Sequence, residues 1–202
     1  MVQTSVPVSD EPDVAARPAD LRPGLATLAA VSVLAGFWPV TGWILTFAPA
    51  LLVPSALGLP FALPALRPFP LGATTTASWL VDLVAAFVML AVTGMRLVDS
   101  SSRHPHGGPG RAFLAGWGAT VLGVLAGNLI RIVYLSFVVH AGSGAYLLSL
   151  AGGALVSLLW GGVAGLAVGA AQTISSVVRS RRSLHRDDAN VVGVGPRMDE
   201  PQ

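Results

Sequence analysis

The sequence predicts an all-α, polytopic membrane protein arranged as a four-helix transmembrane bundle, and three observations carry that prediction. Hydrophobic residues make up 53% of the chain and charged residues 11%, with a mean hydropathy of +0.69; a soluble domain would carry about a quarter charged residues. The charges crowd into the two ends and one central loop. Between them lie long apolar runs without the short alternating strands of a barrel, so the backbone has to satisfy its hydrogen bonds within helices.

Composition narrows the chemistry further. All 12 basic residues are arginine, which with the alanine, glycine and valine load points to a GC-rich coding sequence and a bacterial plasma membrane. There is no cysteine, hence no disulfide, no thiolate metal site and no cysteine nucleophile. The pI near 9.9 reflects arginines placed on the cytoplasmic side, so the lipid bilayer and not nucleic acid is the implied partner.

Residues 1–23 are polar and rich in proline and acids, and predict a disordered tail. No basic region precedes the first apolar run, so the first span, about 24–45, reads as a retained helix. Residues 46–72 are apolar but interrupted by Pro49, Pro54, Pro60, Pro64, Pro68 and Pro70, a density that prevents a regular helix. They predict a non-cytoplasmic cap with a short half-helix, lying at the interface or re-entering the bundle; an extra span near 45–66 is the competing reading.

The second span, 75–98, opens with Thr74, Thr75, Thr76 and Ser78 and contains Asp82. Thr75, Ser78 and Asp82 are three and four apart and share one helix face. The loop 99–111 is polar, glycine-rich and basic, and His104 and His106 in it read as plain loop residues, with no metal implied. The third span is 112–140, the fourth 146–178, and a tight uncharged turn joins them. Ala119, Gly123 and Gly127 recur every four residues in one, and Gly161, Gly165 and Gly169 in the other, the small-residue stripes that let transmembrane helices approach closely. Residues 179–202 predict a basic, disordered tail. Arginines cluster in the central loop and this tail, so the positive-inside rule places both termini in the cytoplasm.

Asn128 and Arg131 stand out inside the third span, because an arginine near mid-bilayer costs about 2.5–3.5 kcal/mol on insertion scales and survives only with a partner. In this orientation Asp82 lies roughly 10 Å and Arg131 roughly 14 Å inside the outer surface. Matching depth predicts an ion pair, with Asn128 and Tyr134 adding hydrogen bonds. Two readings follow: a clamp that sets helix register, or a polar site below the outer surface, roofed by the proline-rich segment and lined by Thr75, Ser78, Asn128, Arg131, His140, Tyr146 and Ser149.

A polar start to one span, Asn-x-x-Arg (Asn128, Arg131) late in the next, a tight turn and a last glycine-rich span resemble the exosortase/archaeosortase family of membrane transpeptidases over about 73–168. That resemblance implies recognition of the C-terminal sorting signal of an exported protein. In the family a cysteine opens the first of these spans and a histidine or arginine opens the last. Here the matching positions are Thr75 and Ser149, so the resemblance puts Thr75, Arg131 and Ser149 at the catalytic positions with His140 as a candidate base. A threonine hydroxyl is a far poorer nucleophile than a thiolate without an activating base. A non-catalytic or altered sortase-like protein is therefore expected. The alternatives are an accessory subunit packing against other membrane subunits through its glycine stripes, and a small transporter. No cofactor is expected, since haem and quinone sites usually need histidines within spans.

Overall fold

The structure, a computed structural model, describes residues 22–47, 62–70, 74–103, 108–140 and 142–193. The expectations for the N-terminal tail up to residue 21 and the last nine residues lie outside that set. The described regular structure is helical: α1 (Arg22–Gly36), α2 (Trp38–Phe47), α3 (Thr76–Arg103), α4 (Pro109–Val138) and α5 (Ser143–Gly193).

Among the described residues, three helices are long and apolar enough to cross a membrane: α3, α4 and the Ser143–Val178 part of α5. Their outward residues are those of a lipid-facing surface, with Val84, Phe87, Leu129, Leu155 and Leu166 exposed. Packing inside is carried by small residues. α4 is the central helix, flanked by α3 on one side and α5 on the other, while α1 lies along α5 and touches α3. A Cβ at Gly123 or Gly127 would strike α3, at 2.6 Å from the Met89 carbonyl oxygen and 2.8 Å from that of Ala85. Gly161, Gly165 and Gly169 approach α4 in the same way at Val121, Trp117 and Phe113. Both stripes are therefore taken up within the bundle, and a further subunit would have to dock on another face.

The first span is not the single helix expected over 24–45. It breaks at Phe37, and α1 begins at Arg22, inside the stretch read as tail. Pro39 is the cause: it lacks an N–H and its ring would meet the carbonyl of Ala35, so the helix of α1 cannot run through it. At 15 residues α1 covers roughly 22 Å, short of the approximately 30 Å hydrocarbon layer. Its buried face, Gly24, Leu28, Ser32 and Gly36, is a third stripe with a four-residue repeat. Gly24 meets Gln172 of α5 and Gly36 meets Arg67, so α1 reaches from the arginine-rich end of the bundle to the level where α3 starts.

Part of the proline-rich segment packs against the bundle. Among its described residues, 62–70 are non-helical, and Ala62, Leu63, Pro64 and Ala65 are buried. The short half-helix and the extra span near 45–66 fall largely on residues 48–61, which lie outside the described residues. Leu63 joins the core with Leu28, Met89, Val124, Ala164 and Val168. At the other end α5 stays helical to Gly193, where a disordered tail was expected from 179; residues 179–192 hold no proline or glycine to stop it.

Close approach at Gly127 gives a direct test. Gly127→Ala should destabilise the protein by about 1–3 kcal/mol, because the new methyl meets backbone and Pro64 Cγ, both at 2.8 Å. Gly118→Ala on the same helix meets nothing within 4 Å and should leave the melting temperature unchanged or slightly raised. Thermal unfolding in detergent compares the two.

Candidate functional site

Asp82 sits in the second turn of α3 and Arg131 two turns before the end of α4, and antiparallel packing brings them together. Arg131 Nε lies 2.8 Å from Asp82 Oδ1, with 18% and 20% of the two side chains exposed. One turn along α4, Asn128 Oδ1 accepts a hydrogen bond from Arg131 Nη1 at 3.1 Å. Asn128 is fully buried, and its Nδ2 donates to Ser157 Oγ on α5 at 3.0 Å and to the Ala62 carbonyl at 3.4 Å. Its two N–H donors and its acceptor are thus all engaged. Ser157 passes the chain on, donating to the Gly153 carbonyl at 2.6 Å.

This network ends on a non-helical stretch of backbone. Residues 62–67 cannot bond to themselves as a helix would, and the bundle supplies partners to their main chain. Ser32 Oγ donates to the Pro64 carbonyl at 2.6 Å, Leu66 N donates to the Ser32 carbonyl at 3.3 Å, and Trp79 Nε1 donates to the Arg67 carbonyl at 3.0 Å. With Asn128 on Ala62, three side chains from three helices hold carbonyls of one short stretch. Ala62 is in the left-handed region at φ 57°, a conformation costing about 1–2 kcal/mol for a residue with a Cβ, and its carbonyl is the one Asn128 holds. Arg67 Nε is buried without a hydrogen-bond partner among the described residues, near enough for the guanidinium charge to act on Arg131.

The other expected site residues do not join the pair. Thr75 caps α3: its Oγ1 accepts from Ser78 N at 3.2 Å and lies 2.7 Å from Ser78 Oγ. His140 is exposed and closes α4 in the left-handed conformation, φ 52°. Tyr134, Tyr146 and Ser149 are half-buried, and among the described residues none of them hydrogen-bonds to Asp82 or Arg131. Sequence reasoning missed Ser32, Trp79 and Ser157. Both Ser32 and Ser157 carried a signal: Ser32 lies on the four-residue repeat of α1, and Ser157 continues the 161/165/169 repeat of α5 one turn earlier.

Fold and site define a protein whose described regular structure is helical, with three helices long and apolar enough to cross a membrane and a polar network between them. No protein-family model, curated protein or solved structure matches the chain.

Asp82→Asn and Arg131→Gln should each destabilise the protein, near the lower end of the roughly 3–5 kcal/mol for breaking a buried pair because a fifth of each side chain is exposed. The double variant should unfold at a higher temperature than the worse single one, since it strands no charge. A double variant no better than that single would mean that the two charges are not coupled.

Proposed function

We infer that this protein holds an extended segment of an exported protein at the outer face of the plasma membrane and does not cut it, as an altered relative of the exosortase/archaeosortase enzymes. The observation that carries the reading is the grip on 62–67. Side chains of α1, α3 and α4 engage main-chain carbonyls, a mode that accepts an extended peptide whatever its side chains. The chemistry for cleavage is thin: there is no thiolate in the chain, Thr75 is occupied in capping α3, and His140 is a helix end.

In this reading Arg22–Phe47 forms a broken first crossing, both termini are cytoplasmic, and the proline-rich segment enters from outside. Fusions of a periplasmic-only and a cytoplasmic-only reporter after Phe69 and after Gly193 check it. The expected result is periplasmic activity at the first site and cytoplasmic activity at the second; the reverse would invert the site.

A second reading has one observation in its favour: Asn128 has every donor and acceptor used within the bundle. The pair would then be a register clamp in a structural subunit of a larger complex. Binding separates the two. Fluorescent sorting-signal peptides added to the purified protein should bind and remain intact, and Trp79→Phe or Asn128→Leu should weaken binding more than tenfold. No binding by a folded wild type would favour the clamp. Peptide cleavage that disappears in Thr75→Ala would show an activated hydroxyl nucleophile and overturn the non-catalytic reading.

A further inference from the structure

The far end of the α3–α4 pair carries a second feature, unrelated to the network around Arg131. Between the last two turns of α3 and the first four of α4 the structure forms an open cleft of about 310 Å³. Its mouth holds three guanidinium groups, Arg96 and Arg103 from α3 and Arg111 from α4, against one carboxylate, Asp99. Asp99 Oδ1 lies 2.8 Å from Arg103 Nε, one turn away on the same helix, so the carboxylate orients one arginine and leaves the wall positive.

Apart from Ser100, the rest of the cleft is apolar. Leu114, Gly118 and Leu122 are four residues apart on α4 and continue the cleft away from the arginines towards the membrane interior. A Cβ at Gly118 would meet nothing within 4 Å, so this glycine packs against no helix and leaves the floor open. Gly123 and Gly127, by contrast, are pressed against α3. The depth fits the interface: Arg96 is 20 residues after Thr76, a rise of roughly 30 Å, the thickness of the hydrocarbon layer.

We propose that this cleft binds one anionic glycerophospholipid, its phosphate against Arg96, Arg103 and Arg111 and an acyl chain along Gly118 and Leu122. Cations placed at the level of the headgroups, continuous with an apolar channel, match a molecule that carries a phosphodiester on a hydrocarbon chain. A free phosphate would use only the mouth. Arginine suits the phosphodiester because its planar fork donates two hydrogen bonds at once. The open Gly118 is what distinguishes a seated lipid from a general attraction of basic residues to anionic membranes.

The test is native mass spectrometry of the full chain from mixed micelles, with phosphatidylglycerol and phosphatidylcholine offered together and lipid-dependent thermal stabilisation as a second readout. One phosphatidylglycerol should be retained in preference to phosphatidylcholine by tenfold or more. Arg96→Gln and Arg111→Gln should each lower its affinity about fivefold. Gly118→Leu, whose Cβ meets nothing within 4 Å, should remove the preference while leaving the melting temperature without lipid unchanged. Arg181→Gln, outside the cleft on α5, should have no effect. Displacement of the lipid by millimolar inorganic phosphate or glycerol phosphate would make this an anion site and overturn the proposal, as would wild-type retention in Gly118→Leu. A loss in Arg181→Gln equal to that in Arg96→Gln would reduce the effect to net charge and overturn it as well.

Discussion

Non-helical backbone inside an apolar bundle has to find its hydrogen-bond partners among side chains, and most of the described architecture follows from that requirement. Residues 62–67 bring unsatisfied carbonyls among α1, α3 and α4, where an unpaired polar group costs several kcal/mol. Ser32, Trp79 and Asn128 meet the need. Asn128 can face Ala62 only because Ser157 and Arg131 satisfy its remaining groups, and Arg131 can lie there only because Asp82 neutralises it. The charge pair that stands out in the apolar sequence is thus the far end of a chain of bonds that begins at a proline-rich loop.

Small residues make that chain of bonds possible. Gly36 lets 65–67 lie against α1, and Gly127 leaves room for Pro64 between α3 and α4. Larger residues there would hold the helices apart and push the non-helical stretch out. In the lipid-facing direction the rule reverses: large apolar side chains such as Leu155 and Phe87 are exposed, because hydrocarbon outside is as favourable for them as a core. α4 shows both rules at once, with Gly123 and Gly127 towards α3 and Leu114 and Leu129 outward.

The two ends of α3 and α4 are chemically distinct. Asp82 and Arg131 lie near one end, and Arg96, Arg103 and Arg111 near the other, with 20 residues of α4, roughly 30 Å, between Arg111 and Arg131. A single pair of helices therefore presents a closed, hydrogen-bonded network at one interface and an open cationic cleft at the other. The first suits a peptide main chain and the second a charged headgroup, and neither needs the other to form.

Sequence by itself determined the material and the periods. Apolar runs of span length, the absence of cysteine, the glycine repeats at 123/127 and 161/165/169, and an arginine that demands a partner are all local properties, readable residue by residue. The depth argument that joined Asp82 to Arg131 worked because rise per residue is constant in a helix. Pro39 was equally legible as a helix breaker, yet the apolar run around it suggested one continuous span. Tertiary structure alone decided where the non-helical stretch lies and what holds it. Ser157 shares the four-residue period of Gly161, Gly165 and Gly169, yet the period does not say that Asn128 is what it meets; which helix faces meet depends on how the helices pack against one another. It also decided against Thr75, Ser149, Tyr134, Tyr146 and His140 as members of the network: shared depth is a one-dimensional property, whereas hydrogen bonding depends on the rotation of each helix about its axis, which only packing sets.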